Sequence, residues 1–314
     1  MTAAPRVSVV MPVYNGERYI ADAVESALAS TFHDFELLVV DDGSTDRSVE
    51  IVGEIAAGDK RVRVVRVPHG GVAAARNAAL REARAALVAN LDSDDLMPPD
   101  RLALQVAYLD ANPDCVAVGG RSLIIDGDGA PLRVVGRYFH HAEIDAALLD
   151  GNGGALGNDT AMFRRDAALG IGGYSSQLRS TGEDHDLWLR LAEVGRLACL
   201  PAVLNHYRIH GTNVSVGDGS RERRLPVTLD NLARAFQRRG IADRAPMKRA
   251  APPLRRAERW CDEGMLRWYR GERFGALARL AGAVALEPRL PTARYALGAL
   301  MRDAAPRMPQ TRQR

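Results

Sequence analysis

The chain has 314 residues, of which 46% are hydrophobic and 26% are charged. This composition is typical of globular proteins and excludes disordered, collagen-like and disulfide-rich miniature folds. No segment reaches the roughly 18 uninterrupted apolar residues of a membrane-spanning helix, and we expect no signal peptide in the few residues before Val7. Three scattered cysteines without a CxxC pair predict reduced thiols in a cytoplasmic protein and provide no zinc site.

The formal net charge of +3 is the sum of two regions of opposite sign. Residues 221–314 contain 22 Lys and Arg against 9 Asp and Glu, whereas residues 1–220 contain 20 against 30. Regions that differ this much in charge are expected to have different roles. We therefore predict an acidic α/β domain over residues 1–220 and a basic α-helical region over residues 221–314.

The first hundred residues alternate between short β-branched runs and apolar residues at helical spacing. Helices are predicted after Asn15-Gly16, from a cap at Ser44 or Thr45 to about Ala57, and over residues 72–84. Strands are predicted at residues 7–11, 35–40, 62–67 and 86–91. Such alternation indicates βαβ units, so the predicted fold class is α/β with a mainly parallel central sheet flanked by helices.

The pattern changes after residue 114. A strand is predicted at residues 115–118, a hairpin at 122–135 with its turn at 126–129, a helix at 183–194 and a strand at 198–207. Residues beyond 221 have helical spacing. One predicted helix there has an apolar face made of Phe274, Leu277, Ala278, Ala281, Val284 and Ala285.

The turn after the first strand, Pro12 to Glu17, lacks the GxGxxG pattern, which disfavours a Rossmann-type dinucleotide site. Asp41-Asp42 ends the second strand. A carboxylate at this position can accept hydrogen bonds from a base N–H or from ribose hydroxyls. Asp42 can equally serve only to cap the turn that follows, since aspartate is common in such turns.

An acidic cluster, Asp92-Ser93-Asp94-Asp95, follows the fourth strand. Three carboxylates in four residues repel one another, so a folded cluster requires a cation, protonation or exposure to solvent. Oxygen ligands of this kind suit Mg²⁺ or Mn²⁺ shared with substrate phosphates, and a solvated turn is the alternative. The other acidic run, at residues 126–129, is typical of a hairpin turn. Three histidines are interpreted as surface or loop residues: His69, His140 and His141.

Two further segments contain groups suited to catalysis. Glu183-Asp184 begins a predicted helix, where the helix dipole already favours acidic residues. A carboxylate there can also act as a general base toward a hydroxyl if it faces the acidic cluster. The run from His206 to His210 ends a strand and provides cationic or metal-binding groups that can face a diphosphate.

The ordered set of these segments resembles the family 2 glycosyltransferases, which have the GT-A fold. The resemblance runs over about residues 6–215 and leaves the basic C-terminal third outside. The segments that carry it are Val7 to Asn15, Asp41-Asp42-Gly43-Ser44-Thr45-Asp46, Gly71 to Asn77, Leu91-Asp92-Ser93-Asp94-Asp95, Glu183-Asp184 with Leu187-Trp188-Leu189-Arg190, and Tyr207-Arg208-Ile209-His210.

The resemblance implies a role for each matching residue. Pro12, Tyr14 and Asp42 would line the nucleoside pocket, with Asp42 bonding the base, most often uracil. Arg76 would help to hold the nucleotide. Asp92 and Asp94 would form the DxD pair that binds the divalent metal and the ribosyl side of the donor, with Asp95 sharing in either task. Asp184 would be the general base with Glu183 supporting it, and His210 would lie near the metal and the diphosphate.

The implied activity is an inverting transfer of a hexosyl or hexosaminyl group from a nucleotide-sugar donor, expected to be a UDP-sugar, with Mn²⁺ or Mg²⁺ as cofactor. The expected acceptor is a glycan, a lipid-linked intermediate or a protein, in cell-surface glycan or glycolipid synthesis. We expect a cytoplasmic protein that does not bind nucleic acid. The basic region either contacts an anionic membrane or only solvates helices packed on the domain. A nucleotidyltransferase and a non-catalytic binding protein of the same fold are the alternative functions.

Overall fold

The computed structural model describes residues 4–178, 181–211, 213, 220–242 and 255–302. The strands are β1 (Val7–Val13), β2 (Phe35–Asp41), β3 (Val62–Arg66), β4 (Leu87–Asn90), β5 (Cys115–Ile125), β6 (Pro131–Val135), β7 (Met162–Arg164) and β8 (Arg196–Arg208). The helices are α1 (Ile20–Leu28), α2 (Ser48–Gly58), α3 (Val72–Glu82), α4 (Arg101–Ala111), α5 (His141–Leu149), α6 (Arg165–Gly170), α7 (Glu183–Leu191), α8 (Ser220–Arg239), α9 (Arg256–Tyr269), α10 (Arg273–Leu286) and α11 (Pro291–Met301). Two short 3₁₀ helices, Gly153–Ala155 and Asn158–Thr160, precede β7.

The strands form one mixed sheet in the order β3-β2-β1-β4-β7-β5-β6, with β8 paired in parallel to β5. The first four strands are parallel, and Val13 at the end of β1 lies opposite Asp41 at the end of β2. The carboxyl ends of β1, β2 and β4 therefore share one edge of the sheet. The short strand β7 runs antiparallel to both β4 and β5.

Helices cover both faces of the sheet. One apolar core lies between the sheet and helices α1, α2 and α4, and the opposite core contains side chains of α3, α5, α7 and α8. Every residue of β2 and of β5 is buried, as expected for strands covered on both faces. This architecture confirms the predicted α/β fold class with a helix-flanked central sheet.

Two local predictions differ from the structure. Helix α2 begins at Ser48, not at a cap on Ser44 or Thr45, because Asp46 accepts the Ser48 N–H and hydroxyl at 3.0 and 2.5 Å. The predicted strand at 115–118 and the first arm of the predicted hairpin are one continuous strand, β5. The hairpin turn at 126–129 is confirmed, with Asp126 accepting N–H groups within the turn.

The C-terminal region is helical and its parts pack differently. Leu232, Ala235 and Phe236 of α8 are buried in the core that contains α7, so α8 is packed into the α/β domain. Helices α9, α10 and α11 form a separate apolar cluster with residues of β5, β6 and β8. The division of the chain at residue 220 stays a prediction.

The predicted apolar face of α10 is wrong. Its buried residues are Ala276, Leu280 and Ala283, whereas Phe274 is 92% exposed. Small residues allow a closer approach: a Cβ on Gly264 of α9 would lie 2.7 Å from Leu280 Cγ. Close packing of small side chains therefore selects the buried face of α10 rather than its largest apolar residues.

The three cysteines are free and buried, which agrees with the predicted reduced thiols. Within the described ranges, no helix combines the length and the apolar character that crossing a membrane requires.

Candidate active site

A cleft of about 1170 Å³ lies at the carboxyl edge of β1, β2 and β4. It brings together nine of the ten residues to which the sequence assigns a binding or catalytic role, and Asp95 is the exception. The nine are Pro12, Tyr14, Asp42, Arg76, Asp92, Asp94, Glu183, Asp184 and His210. Pro12 lies in β1 and Tyr14 directly follows it, Asp42 follows β2, Arg76 belongs to α3, and the two aspartates follow β4. The last three come from segments more than 80 residues further along the chain.

The carboxylate of Asp42 is fixed by backbone donors from the loop before α3. Gly70 N donates to Oδ1 at 2.8 Å and Gly71 N donates to Oδ2 at 2.9 Å. His69 Nδ1 lies 3.0 Å from Oδ2, and the His69 ring packs on Tyr14 at a centroid distance of 4.4 Å. Asp42 is buried while Tyr14 is half exposed, so an aromatic surface stands beside a rigid acceptor.

The sequence predicts that His69 is a surface or loop residue. It does lie in a loop with its side chain 54% exposed. Its ring nevertheless contacts two residues that line the cleft, Asp42 and Tyr14. The sequence gives no signal for this contact, because His69 lies in the loop between β3 and α3 and comes close to Asp42 only when β3 is paired with β2.

Arg76 of α3 links two acidic segments that are distant in sequence. Its Nη1 donates to Glu183 Oε1 at 2.6 Å and its Nη2 donates to Asp92 Oδ1 at 2.9 Å. Burial, followed by the negative charge of Asp184, raises the pKa of Glu183 to about 7. Arg76 therefore neutralises part of the negative charge where the acidic cluster meets α7.

Asp94 is held by the segment that follows β8. His210 Nε2 lies 2.8 Å from Asp94 Oδ2, and Asn213 Nδ2 donates to the same oxygen at 3.2 Å. Burial and the neighbouring charge of Asp92 raise the pKa of Asp94. Asn213 was missed in the sequence, since a single asparagine 119 residues from its partner carries no recognisable pattern.

Asp95 does not share the environment of the other two acids. It is fully buried, accepts from Asn205 Nδ2 at 2.6 Å and from Arg208 N at 2.9 Å, and does not line the cleft. Burial and the charge of Asp94 raise its pKa well above the ordinary value. The expectation that Asp95 contributes to metal or sugar binding is therefore not supported by its position, because its carboxylate ties the cluster to β8.

Helix α7 begins at the cleft. Gly182 precedes it with φ 75°, a left-handed conformation that glycine adopts without strain. Asp184 Oδ1 accepts from His185 N at 2.7 Å, and among the described residues its carboxylate has no side-chain partner. Glu183 is buried, whereas Asp184 is only partly buried. Asp184 is thus the acid of this pair that remains accessible from the cleft.

The side chains around Asp94 suit a hard divalent cation whose remaining ligands come from the substrate. Among the described residues, no three His, Cys, Asp or Glu side chains are already arranged around a metal position. Mg²⁺ and similar ions are commonly held by one or two carboxylates together with substrate phosphates and water. Asp92, Asp94 and His210 line the same cleft and offer such an incomplete set.

The structure adds Asp159, which the sequence analysis did not single out, to the lining of the cleft. Its Oδ2 accepts from Ser122 Oγ at 2.6 Å and from Asn205 Nδ2 at 3.0 Å. Thr228 of α8 also lines the cleft, so the C-terminal region contributes to its wall. Neither residue belongs to a motif, and only the packing of α8 and of the second 3₁₀ helix brings them here.

Comparison with known proteins defines the class. The profile of Glycosyl transferase family 2 matches residues 8–171, more than half of the chain. The putative glycosyltransferase EpsE of Bacillus subtilis is 34% identical over 241 residues, covering 76% of this chain and 83% of EpsE. Together with the fold and the cleft, these matches define a glycosyltransferase. The chain belongs to glycosyl transferase family 2, which confirms the resemblance seen in the sequence.

Other relatives are much longer proteins. The chondroitin synthase of Pasteurella multocida is 31% identical over 236 residues, which cover 74% of this chain but 24% of that protein. The hyaluronan synthase of Pasteurella multocida is 31% identical over 214 residues, covering 68% of this chain and 21% of the synthase. The chain thus spans about a quarter or less of the length of these synthases.

Solved structures support the GT-A-like fold. TarS 1–349 of S. aureus in complex with UDP-GlcNAc superposes with a TM-score of 0.57 at 20% identity, covering 96% of this chain and 82% of TarS 1–349. The mannosyltransferase PcManGT of Pyrobaculum calidifontis, in complex with GDP-Man and Mn²⁺, gives a TM-score of 0.55 at 24% identity, covering 96% of this chain and 81% of PcManGT. At these identities the likeness concerns the fold.

Proposed function

We propose that this glycosyltransferase is metal-dependent and inverting, and that it moves a hexosyl or hexosaminyl group from a nucleoside-diphosphate donor, a UDP-sugar, to an acceptor hydroxyl. The observation that carries the proposal is the cleft in which nine of the ten sequence-predicted residues converge. Family membership favours glycosyl transfer over the nucleotidyltransferase alternative. A non-catalytic binding protein remains the alternative that the experiment below addresses.

The nucleoside end of the donor is assigned to the region of Pro12, Tyr14 and Asp42. Tyr14 supplies a ring surface that is supported by the His69 ring, and the Asp42 carboxylate is fixed beside it. A base N–H donated to an ionised carboxylate forms one of the stronger hydrogen bonds. TarS 1–349 and PcManGT were solved with UDP-GlcNAc and GDP-Man, which supports a nucleotide-sugar donor for this chain. The choice of UDP follows from the family resemblance at Asp42.

The divalent cation, Mn²⁺ or Mg²⁺, is assigned to Asp92, Asp94 and His210. The complex of PcManGT with Mn²⁺ supports this assignment. When bound, the cation neutralises charge on the diphosphate leaving group. Arg76 holds Asp92 through Nη2, and Asn213 holds Asp94 at Oδ2, so both carboxylates are oriented before the donor arrives.

Asp184 is assigned as the general base. Its carboxylate removes the proton from the acceptor hydroxyl while that oxygen bonds to the anomeric carbon. The bond from the anomeric carbon to the phosphate oxygen breaks in the same step, and the nucleoside diphosphate departs with the electron pair. A single displacement of this kind inverts the configuration. Glu183, in the first turn of α7, supports the base because its carboxylate accepts a hydrogen bond from Arg76 of α3.

The acceptor belongs to cell-surface glycan or glycolipid synthesis, as a glycan, a lipid-linked intermediate or a protein. The similarity to chondroitin and hyaluronan synthases supports a polysaccharide context. We place the chain in the cytoplasm with peripheral attachment at the inner face of the membrane, and we assign it no nucleic-acid partner.

Calorimetric titration of the purified chain with UDP, GDP and dTDP, each with and without Mn²⁺, tests the proposal. We expect one diphosphate, UDP, to bind at least tenfold more tightly with Mn²⁺. Asp94→Asn should remove the Mn²⁺ effect, whereas Asp166→Asn, an exposed aspartate of α6, should retain it. Absence of binding to all three diphosphates by the folded chain would favour a non-catalytic protein.

A further inference from the structure

Large apolar side chains are exposed at one end of the C-terminal helices. Phe274 in the first turn of α10 is 92% exposed and Met301 at the end of α11 is 74% exposed. Leu277, one turn after Phe274, is 43% exposed. Scattered apolar residues on a surface are ordinary, but a group that includes an almost fully exposed phenylalanine indicates a contact surface.

These side chains belong to the same end of the helical unit. Trp268 near the end of α9, Ala276 near the beginning of α10 and Ala299 near the end of α11 pack in one cluster. Phe274 and Met301 are each two residues from a member of that cluster. Arg270, Arg273 and Arg302 are exposed and flank the same three helix ends. We call this end, made of Arg270, Arg273, Phe274, Leu277, Met301 and Arg302, the helical tip.

The positive charge of this unit is not balanced within it. Residues 255–302 contain ten arginines, five Asp or Glu and no lysine. All five carboxylates are already paired with arginine. The pairs are Glu258–Arg255, Asp262–Arg121, Glu263–Arg279, Glu272–Arg267 and Glu287–Arg255. Residues 255–302 therefore have a formal net charge of +5, and three of their arginines, Arg270, Arg273 and Arg302, lie at the tip with Phe274 and Met301.

We propose that the helical tip is the surface by which the chain binds an anionic lipid bilayer. Aromatic and aliphatic side chains insert at the boundary between headgroups and acyl chains, and arginines pair with anionic headgroups. A second copy of this chain is a poor occupant, because a symmetric contact would bring two arginine-rich surfaces together. The inference rests on the peripheral attachment in the proposed function, and it names the surface responsible.

Vesicle co-sedimentation of the full chain tests the proposal. We expect binding to vesicles of phosphatidylcholine with phosphatidylglycerol, little binding to pure phosphatidylcholine, and loss of binding in high salt. Phe274→Ser with Met301→Ser should lower partitioning at least tenfold. Arg270→Gln, Arg273→Gln and Arg302→Gln should each lower it about fivefold, which corresponds to about 1 kcal/mol for each basic residue at an anionic surface.

Matched controls lie on the α/β domain. Val194→Ser removes an apolar side chain that is 55% exposed, and Arg47→Gln, Arg84→Gln and Arg196→Gln remove exposed arginines. Each control should leave partitioning unchanged. The proposal is overturned if the chain does not bind anionic vesicles, or if tip and control variants partition onto them equally. It is also overturned if the tip variants change only the oligomeric state. UDP titration of the same preparations is independent of lipid, so failure of the tip and failure of the donor site are distinguishable.

Discussion

Arg76 Nη1 donates to Glu183 Oε1 across 2.6 Å and thereby joins α3 to the first turn of α7. Both side chains are buried, with 6% and 8% of their surface exposed. The other terminal nitrogen of the guanidinium, Nη2, donates to Asp92, which begins the acidic cluster after β4. One side chain therefore sets the distance between the two acidic segments of the cleft.

Replacement of Arg76 should destabilise the fold because it leaves Glu183 buried without its partner. At pH 8, above the raised pKa of Glu183, Arg76→Met should lower the free energy of unfolding in urea by about 3 kcal/mol or more. Adding Glu183→Gln should restore most of the loss, since both partners are then uncharged. Arg47→Met, which breaks an exposed pair with Glu50, should leave the urea midpoint unchanged. Equal midpoints for Arg76→Met and wild type would contradict a contribution of this pair.

The two acids at the start of α7 should differ in their effect on turnover. Asp184→Asn should lower kcat by about 10² to 10⁴, the range for loss of a general base, while UDP binding with Mn²⁺ stays within twofold. Steady-state rates with the donor identified by titration provide the measurement. Asp166→Asn is the matched control outside the cleft and should retain wild-type turnover. An Asp184→Asn variant with full transferase activity would remove this residue from the reaction.

Much of the cleft could be predicted because the topology of the parallel sheet brings its residues together. Asp42 and Asp92 follow strands β2 and β4, which lie on either side of β1 and run in the same direction. Parallel strands end at one edge, so residues 50 apart in sequence become neighbours. The family resemblance then supplied roles for Arg76, Asp184 and His210, which pattern alone left open.

Other features could not be predicted because they depend on packing between distant segments. Asn213 reaches Asp94 only after β8 has been placed beside β5. The buried face of α10 was assigned to the wrong residues, since a Cβ on Gly282 would lie 2.4 Å from Trp260 Cζ3. Such close helix packing requires small residues such as glycine, whereas the hydrophobic periodicity used to predict a buried face depends mainly on large apolar residues.

Gly71 should be needed to keep Asp42 in place. Its φ of 89° is strained for any side chain, and its N–H donates to Asp42 Oδ2. Gly71→Ala should weaken Mn²⁺-supported UDP binding roughly tenfold, or about 1.4 kcal/mol, because the loop before α3 must shift. Gly53→Ala is the matched control, since an added Cβ in α2 meets nothing within 4 Å. It should leave UDP binding unchanged and raise stability by about 0.5–1 kcal/mol. Equal UDP affinities for the two variants would show that this backbone donor does not position Asp42.

His206 should make the fold sensitive to acid. It is 1% exposed on β8, and among the described residues neither ring nitrogen has a hydrogen-bond partner. Burial, and then the charge of Arg208, lowers the pKa of His206 to about 4 from an ordinary value of 6.5. Between pH 4 and pH 6.5, His206 is mostly protonated in the unfolded chain and mostly neutral in the folded chain. The stability due to neutral His206 is therefore complete above pH 6.5 and decreases as the pH falls to 4.

The loss should approach about 3 kcal/mol, the equivalent of a shift of roughly two to three pKa units. Urea unfolding of wild type and His206→Leu at several pH values isolates the effect, because the other titrating groups are common to both. The difference in unfolding free energy between the two should change between pH 6.5 and 4 and be constant above pH 7. His33→Leu, at an exposed histidine, should show a pH profile parallel to that of wild type. If the unfolding free energies of His206→Leu and wild type instead changed in parallel with pH, the pKa of His206 would not be lowered in the folded chain. The ring would then have access to water in spite of its position beside Arg208 and Tyr269.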